Sequence, residues 1–492
     1  MSKNDVFDIC ILGGGPGGYH AAIRSAQYGA KVALVEKDKV GGTCLNRGCI
    51  PTKALYASAK LLEDILEKGS SFGIEVSDIK PNFSKAVERK NKVVEELVSG
   101  VESLLKQNKV SLFHGFGSLV GGQDLNFKIK IEGNDNTEIT SKKVIIATGS
   151  APAMIPAFNI DHERILTSDD ILDPNFKVLP KKLLIIGAGV IGCEFGNIFR
   201  RMGSEVEMLE YLPTPIATEE KLIIRQITKK FESMGIKIHV SQNVLNVENT
   251  GNGVKATTCS ADIPRDQIDS AEKTEFTADY CLVSIGRQRV SQGLNCEKMG
   301  IKTNRGQIVV DLKTLETDCK GIYAIGDVTG GIMLAHVAYY EANVAVANAL
   351  ASIGNFGVDP MVADYSVVPA TIFTSPEIGS VGIREKAAKE KGIKTFVGRF
   401  GYASLGKAKC MGEEEGFMMI IADANTDEIL GASCIGAEAP ELIAEVALAM
   451  RNGLKVHDIS KTIHSHPTIS EIVQETAEDV HGMAIHKKGR RR

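Results

Sequence analysis

Asp8-Ile9-Cys10-Ile11-Leu12-Gly13-Gly14-Gly15-Pro16-Gly17-Gly18 is an apolar run that breaks into a glycine turn. A helical pattern follows to Tyr28, and a second apolar run, Lys31–Val35, ends at Glu36. Strand, glycine turn, helix, strand and acid in that order spell a dinucleotide-binding unit. In the spacing Gly13-x-Gly15-x-x-Gly18 the glycines tighten the turn and let the backbone approach a pyrophosphate. The helix start then offers free N–H groups and the positive end of its dipole to the anion. Glu36 falls where a carboxylate accepts from ribose hydroxyls.

The unit recurs. Lys182–Ile186 reads as a strand, Gly187-Ala188-Gly189-Val190-Ile191-Gly192 as the turn, and a helix runs to about Met202. The strand Glu205–Leu209 then ends at Glu210. The offset is 174 residues, glycine for glycine and acid for acid. Two units mean two dinucleotides, or one real site and one vestigial. Glu210 accepts from a free ribose 2′-hydroxyl and repels a 2′-phosphate. Its neighbours Met208, Leu209, Tyr211, Leu212 and Pro213 include no arginine, so NAD is expected over NADP.

Between the units lies Gly41-Gly42-Thr43-Cys44-Leu45-Asn46-Arg47-Gly48-Cys49-Ile50-Pro51-Thr52-Lys53. Cysteines at i and i+5 of an ideal helix have Cα atoms roughly 8.6 Å apart, beyond the span of about 7 Å that a disulfide tolerates. The backbone between Cys44 and Cys49 must therefore be irregular if they pair, and Gly48 and Pro51 give that freedom. A zinc half-site would need a second Cys/His pair with ligand spacing, which is not evident nearby. Two unrelated buried thiols are the bland alternative. The two nucleotide units favour a redox-active dithiol beside a flavin. Its thiolate chemistry needs a base, for which histidine suits neutral pH. His466 precedes Pro467 and has Glu471 five residues on to orient its ring, and His464 competes with it.

The remaining chain predicts helices at Ala54–Lys68, Phe83–Gln107 and Leu334–Leu350. Strands are expected at Val110–Phe116, Phe127–Glu132 and Lys143–Ala147, the last ending in Thr148-Gly149-Ser150. Gly121-Gly122-Gln123-Asp124 is expected to turn. The polar stretch Ser260–Lys273 reads as a surface hairpin or insertion. Asp279–Ile285 and Gly321–Ile325 are strands leading into Gly286 and into Gly326-Asp327. Asn355–Asp364 looks like a linker to a mixed α+β region with no nucleotide fingerprint. The other eight cysteines are scattered, and the apolar strand at Val6 leaves no room for a signal peptide, so a reducing cytoplasm is expected. Net charge is -4 with both signs mixed, which implies no nucleic-acid partner, and no run is long enough for a membrane span. Lys487–Arg492 reads as a solvated basic tail.

These residues resemble the flavoprotein disulfide reductase family (class I pyridine nucleotide-disulfide oxidoreductases), and within it the branch that oxidises dihydrolipoyl groups. The likeness rests on the Gly41–Lys53 stretch, on His464-Ser465-His466-Pro467-Thr468-Ile469-Ser470-Glu471 and on Ala324-Ile325-Gly326-Asp327. It covers essentially the whole chain. It implies an α/β fold with two Rossmann-like domains and a C-terminal α+β dimerisation domain. The expected divisions are 1–150 (FAD, first part), 151–282 (NAD), 283–354 (central, second FAD part) and 355–492 (interface). By the resemblance, Cys44 is the interchange thiol and Cys49 the thiol against the flavin. Lys53 lies near the flavin and pairs with Glu194. His466 and Glu471 reach the active site of the partner in a homodimer. Gly13, Gly15, Gly18, Glu36, Thr43, Lys53, Thr148, Gly149, Asp327 and Ala335 would hold FAD. Gly187, Gly189, Val190, Gly192, Glu194, Glu210 and Gly286 would hold NAD+, with Val190 over the nicotinamide pocket; no metal is implied. The implied electron donors are lipoyl domains of acyltransferase components or of a glycine cleavage H protein.

The chain departs from the family pattern in three places. Arg287-Gln288-Arg289-Val290 lacks the usual Arg-x-Pro, Glu341-Ala342 stands where Glu-Gly is commoner, and Ser260–Lys273 is long. Two other readings compete. Reduction of a different disulfide is one: glutathione-type chemistry would favour NADPH, and an extra C-terminal redox pair would need a cysteine after Cys434, where the sequence has none. A flavoprotein that only binds or assembles, with its redox activity lost, is the other; the intact Cys44, Cys49, His466 and Glu471 oppose it.

Overall fold

A computed structural model describes residues 6–488. The first unit begins with β1 (Val6–Leu12), α1 (Pro16–Gln27) and β2 (Val32–Glu36). Then come α2 (Gly42–Arg47), α3 (Cys49–Glu63) and α4 (Phe83–Gln107), followed by β3 (Ser111–Gln123), β4 (Asn126–Gly133) and β5 (Thr137–Ile146). β2 and β5 flank β1, all parallel, with Ile9 opposite both Val32 and Lys143. The start of β3 extends the sheet beyond β2, and Ile322–Ala324 extends it beyond β5. The far half of β3 turns antiparallel onto β4, and β4 onto β5, so the pairings of β1 to β5 close into a ring. Ile9, Ile11, Ala33 and Leu34 are fully buried, as expected of parallel strands covered on both faces.

The second unit repeats the strand order. Lys182–Ile186 lies between Glu205–Leu209 and Tyr280–Val283, with Lys237–His239 and Ile165–Leu166 at the edges, all parallel. The helix Val190–Arg201 sits at the same offset from α1 as the glycines do. Both helices turn from the strand through a left-handed glycine, Gly13 (φ 103°) and Gly187 (φ 96°). The third region is an antiparallel sheet in the order Ala370–Ile372, Ile378–Gly382, Ile429–Ile435, Phe417–Asp423, Thr395–Gly401. Helices Ala439–Arg451 and Glu471–Val480 bury Ile443, Val446, Ile472 and Val473 in its core.

The structure differs from the sequence expectations in four places. β3 runs through Gly121 and Gly122, and the reversal falls at Asp124-Leu125 instead, with Leu125 at φ 69°. The two glycines mark a register shift after Leu119, the bulge that glycine's conformational freedom allows. The helix expected from Ala54 already begins at Cys49. Pro51 occupies its first turn, where a missing N–H costs no helical bond. Its expected end, Asp64–Lys68, winds as a π-turn held by Lys60, Asp64, Lys68 and Glu413 ion pairs. Helix Lys221–Ser233 was not expected and packs Ile223, Ile227 and Phe231 inward. Ser260–Lys273 joins two antiparallel strands, Val254–Ser260 and Thr274–Ala278, as a hairpin connection. The last four residues of the basic tail, 489–492, lie outside the described residues. No described helix is long and apolar enough to cross a membrane.

Candidate active site

The dithiol stretch is two helices broken at one residue. α2 carries Cys44, α3 starts at Cys49, and Gly48 between them takes φ -146°, ψ -112°. A Cβ on Gly48 would lie 2.9 Å from the Thr43 carbonyl oxygen, so the break needs glycine. It brings the sulfurs of Cys44 and Cys49 within hydrogen-bond reach of each other, both as free thiols. The pair is asymmetric. Cys44 donates to Cys49, and this bond, with burial, pushes the Cys44 thiol far up. The same bond draws Cys49 down to about 7; burial opposes this, and Lys53 and its own backbone N–H add to it. Cys49 is the first residue of a 15-residue helix, where the dipole also favours a thiolate.

Four residues on, Lys53 Nζ donates to both oxygens of Glu194, at 2.9 and 2.8 Å. Glu194 stands on the helix of the second nucleotide unit, so this pair ties the two units together. Phe373 completes the contact from the C-terminal region. Its N–H donates to Glu194 Oε1 at 3.0 Å, and its ring lies 4.6 Å from Lys53 Nζ.

Each glycine turn is closed by its acid in the same way. Gly14 N donates to Glu36 Oε2 and Ala188 N to Glu210 Oε2, both at 2.6 Å. The other oxygens accept from Asp38 N and Leu212 N, both at 2.8 Å. A Cβ on Gly18 would overlap the Gly13 carbonyl oxygen, and one on Gly192 that of Gly187. By contrast, a Cβ on Gly15 would come no nearer than 3.8 Å to another atom, and one on Gly189 would meet nothing within 4 Å. Both helices start without a side-chain cap, leaving their first N–H groups directed outward at the turn. The fit to two pyrophosphate-bearing cofactors rests on these two cradles. Val190 opens the second helix, half-exposed, and Gly286 (φ 118°) has open space beside it.

Asp327 follows the strand Ile322–Ala324 and accepts from Ser150 Oγ. Arg287 binds Ser150 by Nε to Oγ at 2.7 Å and by a second nitrogen to its carbonyl at 2.9 Å; it also reaches Thr43 Oγ1 at 3.5 Å. Thr148 Oγ1 donates to the Val290 carbonyl at 2.5 Å, and Gly149 (φ 69°) adjoins it. Ala335 begins a 19-residue helix with no side-chain cap. Six residues on, Glu341 accepts from Gly326 N at 2.6 Å and from the Tyr365 hydroxyl at 2.9 Å, fixing the Asp327 turn. Its neighbour Ala342 is fully buried, so a side chain fits where the family more often has glycine.

At the C-terminus, His466 Nδ1 meets Glu471 Oε1 at 2.8 Å, and Thr468 N holds the other oxygen at 2.9 Å. Burial raises the Glu471 carboxyl, but the His466 and Thr468 bonds outweigh it and hold it below the usual range. The His466 ring is 77% exposed, whereas His464 is packed to 5% and bonded to Glu445 at 2.9 Å. Of the two, only His466 presents a free ring face with its far nitrogen toward solvent.

Sequence reasoning passed over Phe373, Arg287's bonds and a phenol pair. Tyr19 and Tyr339, on α1 and the helix from Ala335, meet hydroxyl to hydroxyl at 2.8 Å. Burial first, and the nearby Cys44 sulfur as well, raise both phenols. A tyrosine at a helix start carries no motif of its own, so only the fold reveals its neighbour.

The chain matches two families. Residues 7–342 match "pyridine nucleotide-disulphide oxidoreductase", and residues 368–477 match the dimerisation domain of the same oxidoreductases. It is 39% identical to the dihydrolipoyl dehydrogenase of Bacillus subtilis, over 98% of this chain and 99% of that protein. The dihydrolipoyl dehydrogenase of Chlamydia trachomatis is also 39% identical, over 96% and 97%. The crystal structure of LpdA from Mycobacterium tuberculosis superposes with a TM-score of 0.86 at 26% identity, covering 96% of this chain and 99% of that one. With its paired glycine cradles, its dithiol at a broken helix and these relatives, the chain belongs to the FAD- and NAD-dependent pyridine nucleotide-disulphide oxidoreductases, the family that includes the dihydrolipoyl dehydrogenases.

Proposed function

We propose that this oxidoreductase takes two electrons from protein-bound dihydrolipoamide through Cys44 and Cys49 and delivers them to NAD+. The observation that carries the reading is the contact of Lys53 with Glu194, which sets the dithiol helix directly against the helix of the second nucleotide cradle. Gly13, Gly15, Gly18, Glu36, Thr43, Lys53, Thr148, Gly149, Asp327 and Ala335 are assigned to FAD. Gly187, Gly189, Val190, Gly192, Glu194, Glu210 and Gly286 are assigned to NAD+. Bound FAD supplies the two-electron acceptor and hydride donor that no side chain can provide.

The residues of the chain divide the rest of the work. In the oxidised enzyme Cys44 and Cys49 share a disulfide. His466, oriented by Glu471, takes a proton from one substrate thiol. The thiolate so formed attacks Cys44 and expels Cys49 as a thiolate. The second substrate thiol attacks the substrate sulfur of the mixed disulfide, its proton passing to the departing Cys44 sulfur, and the cyclic disulfide is released. The Cys44 thiol and the Cys49 thiolate now hold the electron pair, with the first proton on His466. Lys53 and the start of α3 stabilise the negative sulfur of Cys49 beside the flavin site. Glu210, held by the backbone N–H groups of Ala188 and Leu212, sets its negative charge against a 2′-phosphate and selects NAD+.

The division at 1–150, 151–282, 283–354 and 355–492 belongs to the same reading, and the three largest sheets, which keep to the FAD, NAD and interface parts, support it. So does a homodimer in which His466 and Glu471 serve the partner's dithiol, supported by the match of residues 368–477 to a dimerisation domain. Lipoyl domains of acyltransferase components or of a glycine cleavage H protein are the proposed donors, in the cytoplasm. The test is a mixed-subunit experiment. Cys49→Ser and His466→Gln homodimers should each be inactive with dihydrolipoamide and NAD+. Reshuffled together, they should recover activity, because one site of the heterodimer carries both native groups. Failure to recover while both subunits exchange would refute the shared site. Absence of any dihydrolipoamide-dependent NAD+ reduction by the native dimer would refute the activity.

A further inference from the structure

Lys53–Glu194 is not the only ion pair between α3 and the helix Val190–Arg201. Ten residues along α3, Glu63 meets Arg201, seven residues along the other helix, at 2.5 Å. The side chains are 8% and 2% exposed, so both charges are withdrawn from water. The polarity is reversed: α3 gives the cation in the first pair and the acid in the second. On α3, Lys53, Tyr56 and Glu63 lie three and seven residues apart, on one face of the helix. Glu194 and Arg201 are seven apart on the facing helix, so the two pairs, ten residues apart on α3 and seven on its neighbour, hold the helices together at two levels.

Two aromatic rings join the pairs. The Phe373 ring sits 4.6 Å from Lys53 Nζ, and Tyr56 and Phe373 touch edge to face with centroids 6.2 Å apart. The Arg201 guanidinium lies 6.0 Å from the Tyr56 ring. Glu194, Lys53, Phe373, Tyr56, Arg201 and Glu63 thus form one chain of contacts. It ends beyond the protein's active region, at the last turn of both helices. Tyr56 is itself pinned by its hydroxyl to the Thr374 carbonyl at 2.9 Å, and Ser375 Oγ reaches Glu63 at 3.3 Å. The segment 373–375 therefore touches both pairs.

We infer that Arg201 and Glu63 are positioning residues for the nicotinamide half of the reaction: their buried pair fixes the register of the NAD-side helix against the dithiol helix. A buried ion pair is weak evidence of stability, because desolvation offsets much of its attraction, but reversed charges in register do specify one alignment. The start of the NAD-side helix holds the Gly187–Gly192 cradle, and its fifth residue, Glu194, holds Lys53. With the far end released, the helix can tilt about the Lys53–Glu194 contact, and the cradle moves with it. The inference rests on the assignment of Gly187–Gly192 to NAD+, and not on the identity of the dithiol substrate.

The test compares FAD-loaded dimers of the native chain, Arg201→Lys, Arg201→Met, Glu63→Gln and the double variant Glu63→Gln/Arg201→Met. Three quantities are read: the unfolding midpoint, the Kd for NAD+ by calorimetry, and kcat and KM for NADH oxidation by ferricyanide, which needs no dithiol substrate. Arg201→Met leaves a buried acid without its partner and should lower the midpoint. The double variant removes both charges and should recover most of it. The register is still lost in the double variant, so its kcat/KM for NADH should remain about 3- to 30-fold below native, with NAD+ binding weakened alongside. Arg201→Lys, which keeps the charge, should lie between. If Arg201→Met does not fold, Glu63→Gln and the double variant still decide the question. Native kcat/KM in the double variant, or losses that follow the midpoint in every variant, would overturn the inference. A native enzyme that oxidises NADH but ignores dihydrolipoamide would instead refute the proposed substrate and leave this test intact.

Discussion

Replacing Cys44 by serine or by alanine should separate two ways of making Cys49 a thiolate. The hydrogen bond from the Cys44 thiol is the largest influence drawing Cys49 down to about 7, against burial, with Lys53 second. Cys44→Ser keeps an O–H donor at the same place on α2, and the midpoint should stay near 7. Cys44→Ala removes the donor and leaves burial opposed only by Lys53 and the helix start, so the midpoint should return to 9 or above, the range of an ordinary or buried thiol. The sign follows from the direction of the shift: a depressed thiol is charged above its midpoint and loses its reactivity as pH falls through it. At pH 7.5 the thiolate fraction should drop from about 75% to about 3%, roughly 25-fold. The assay is the initial rate of Cys49 alkylation by iodoacetamide in reduced protein, followed by peptide mass from pH 5 to 10. An alanine variant whose midpoint remains near 7 would refute the reasoning and hand the effect to Lys53 and the dipole alone.

Gly192→Ala drives a methyl group into the Gly187 carbonyl and should abolish NADH oxidation while the purified protein stays yellow with FAD; Gly18→Ala should instead give colourless protein, which without FAD also fails to oxidise NADH. Absorbance near 450 nm and NADH turnover check both. His466→Gln should lower dihydrolipoamide-dependent NAD+ reduction by about 10²- to 10⁴-fold, the worth of a positioned base, while NADH oxidation by ferricyanide stays within about twofold. Glu210→Ala frees the Ala188 N–H and removes the acid that a 2′-phosphate would meet. It should weaken NAD+ at least about tenfold and narrow the preference over NADP+, as read from the ratio of the two kcat/KM values.

The repeat at 174 residues carried most of what the sequence could tell about architecture, because a phosphate cradle needs glycine at fixed places and each glycine leaves a letter in the chain. The strand Lys182–Ile186 and the helix Phe83–Gln107 follow from periodicity in the same direct way. Where glycine has two uses, the letter is ambiguous. Gly121-Gly122 reads as a turn and is a bulge, since both need the same freedom of φ. The His466–Glu471 contact was legible because five residues separate the partners. Phe373, Tyr339 and Arg201 were not, because their partners lie 179, 320 and 138 positions away and nothing local marks them. Helix Lys221–Ser233 was legible too, since Ile223, Ile227 and Phe231 recur every four residues beneath a polar outer face, and it was simply missed.

The break at Gly48 also decides which way a disulfide between these cysteines will open. It leaves Cys44 on a six-residue helix and sets Cys49 at the start of a long one, above Lys53. In thiol exchange the sulfur that departs fastest is the one that best bears the charge. Here that is always Cys49, so an incoming thiolate gains only by striking Cys44. A single glycine thus acts as a one-way valve: it fixes which sulfur is the entrance and which the exit, before any substrate arrives.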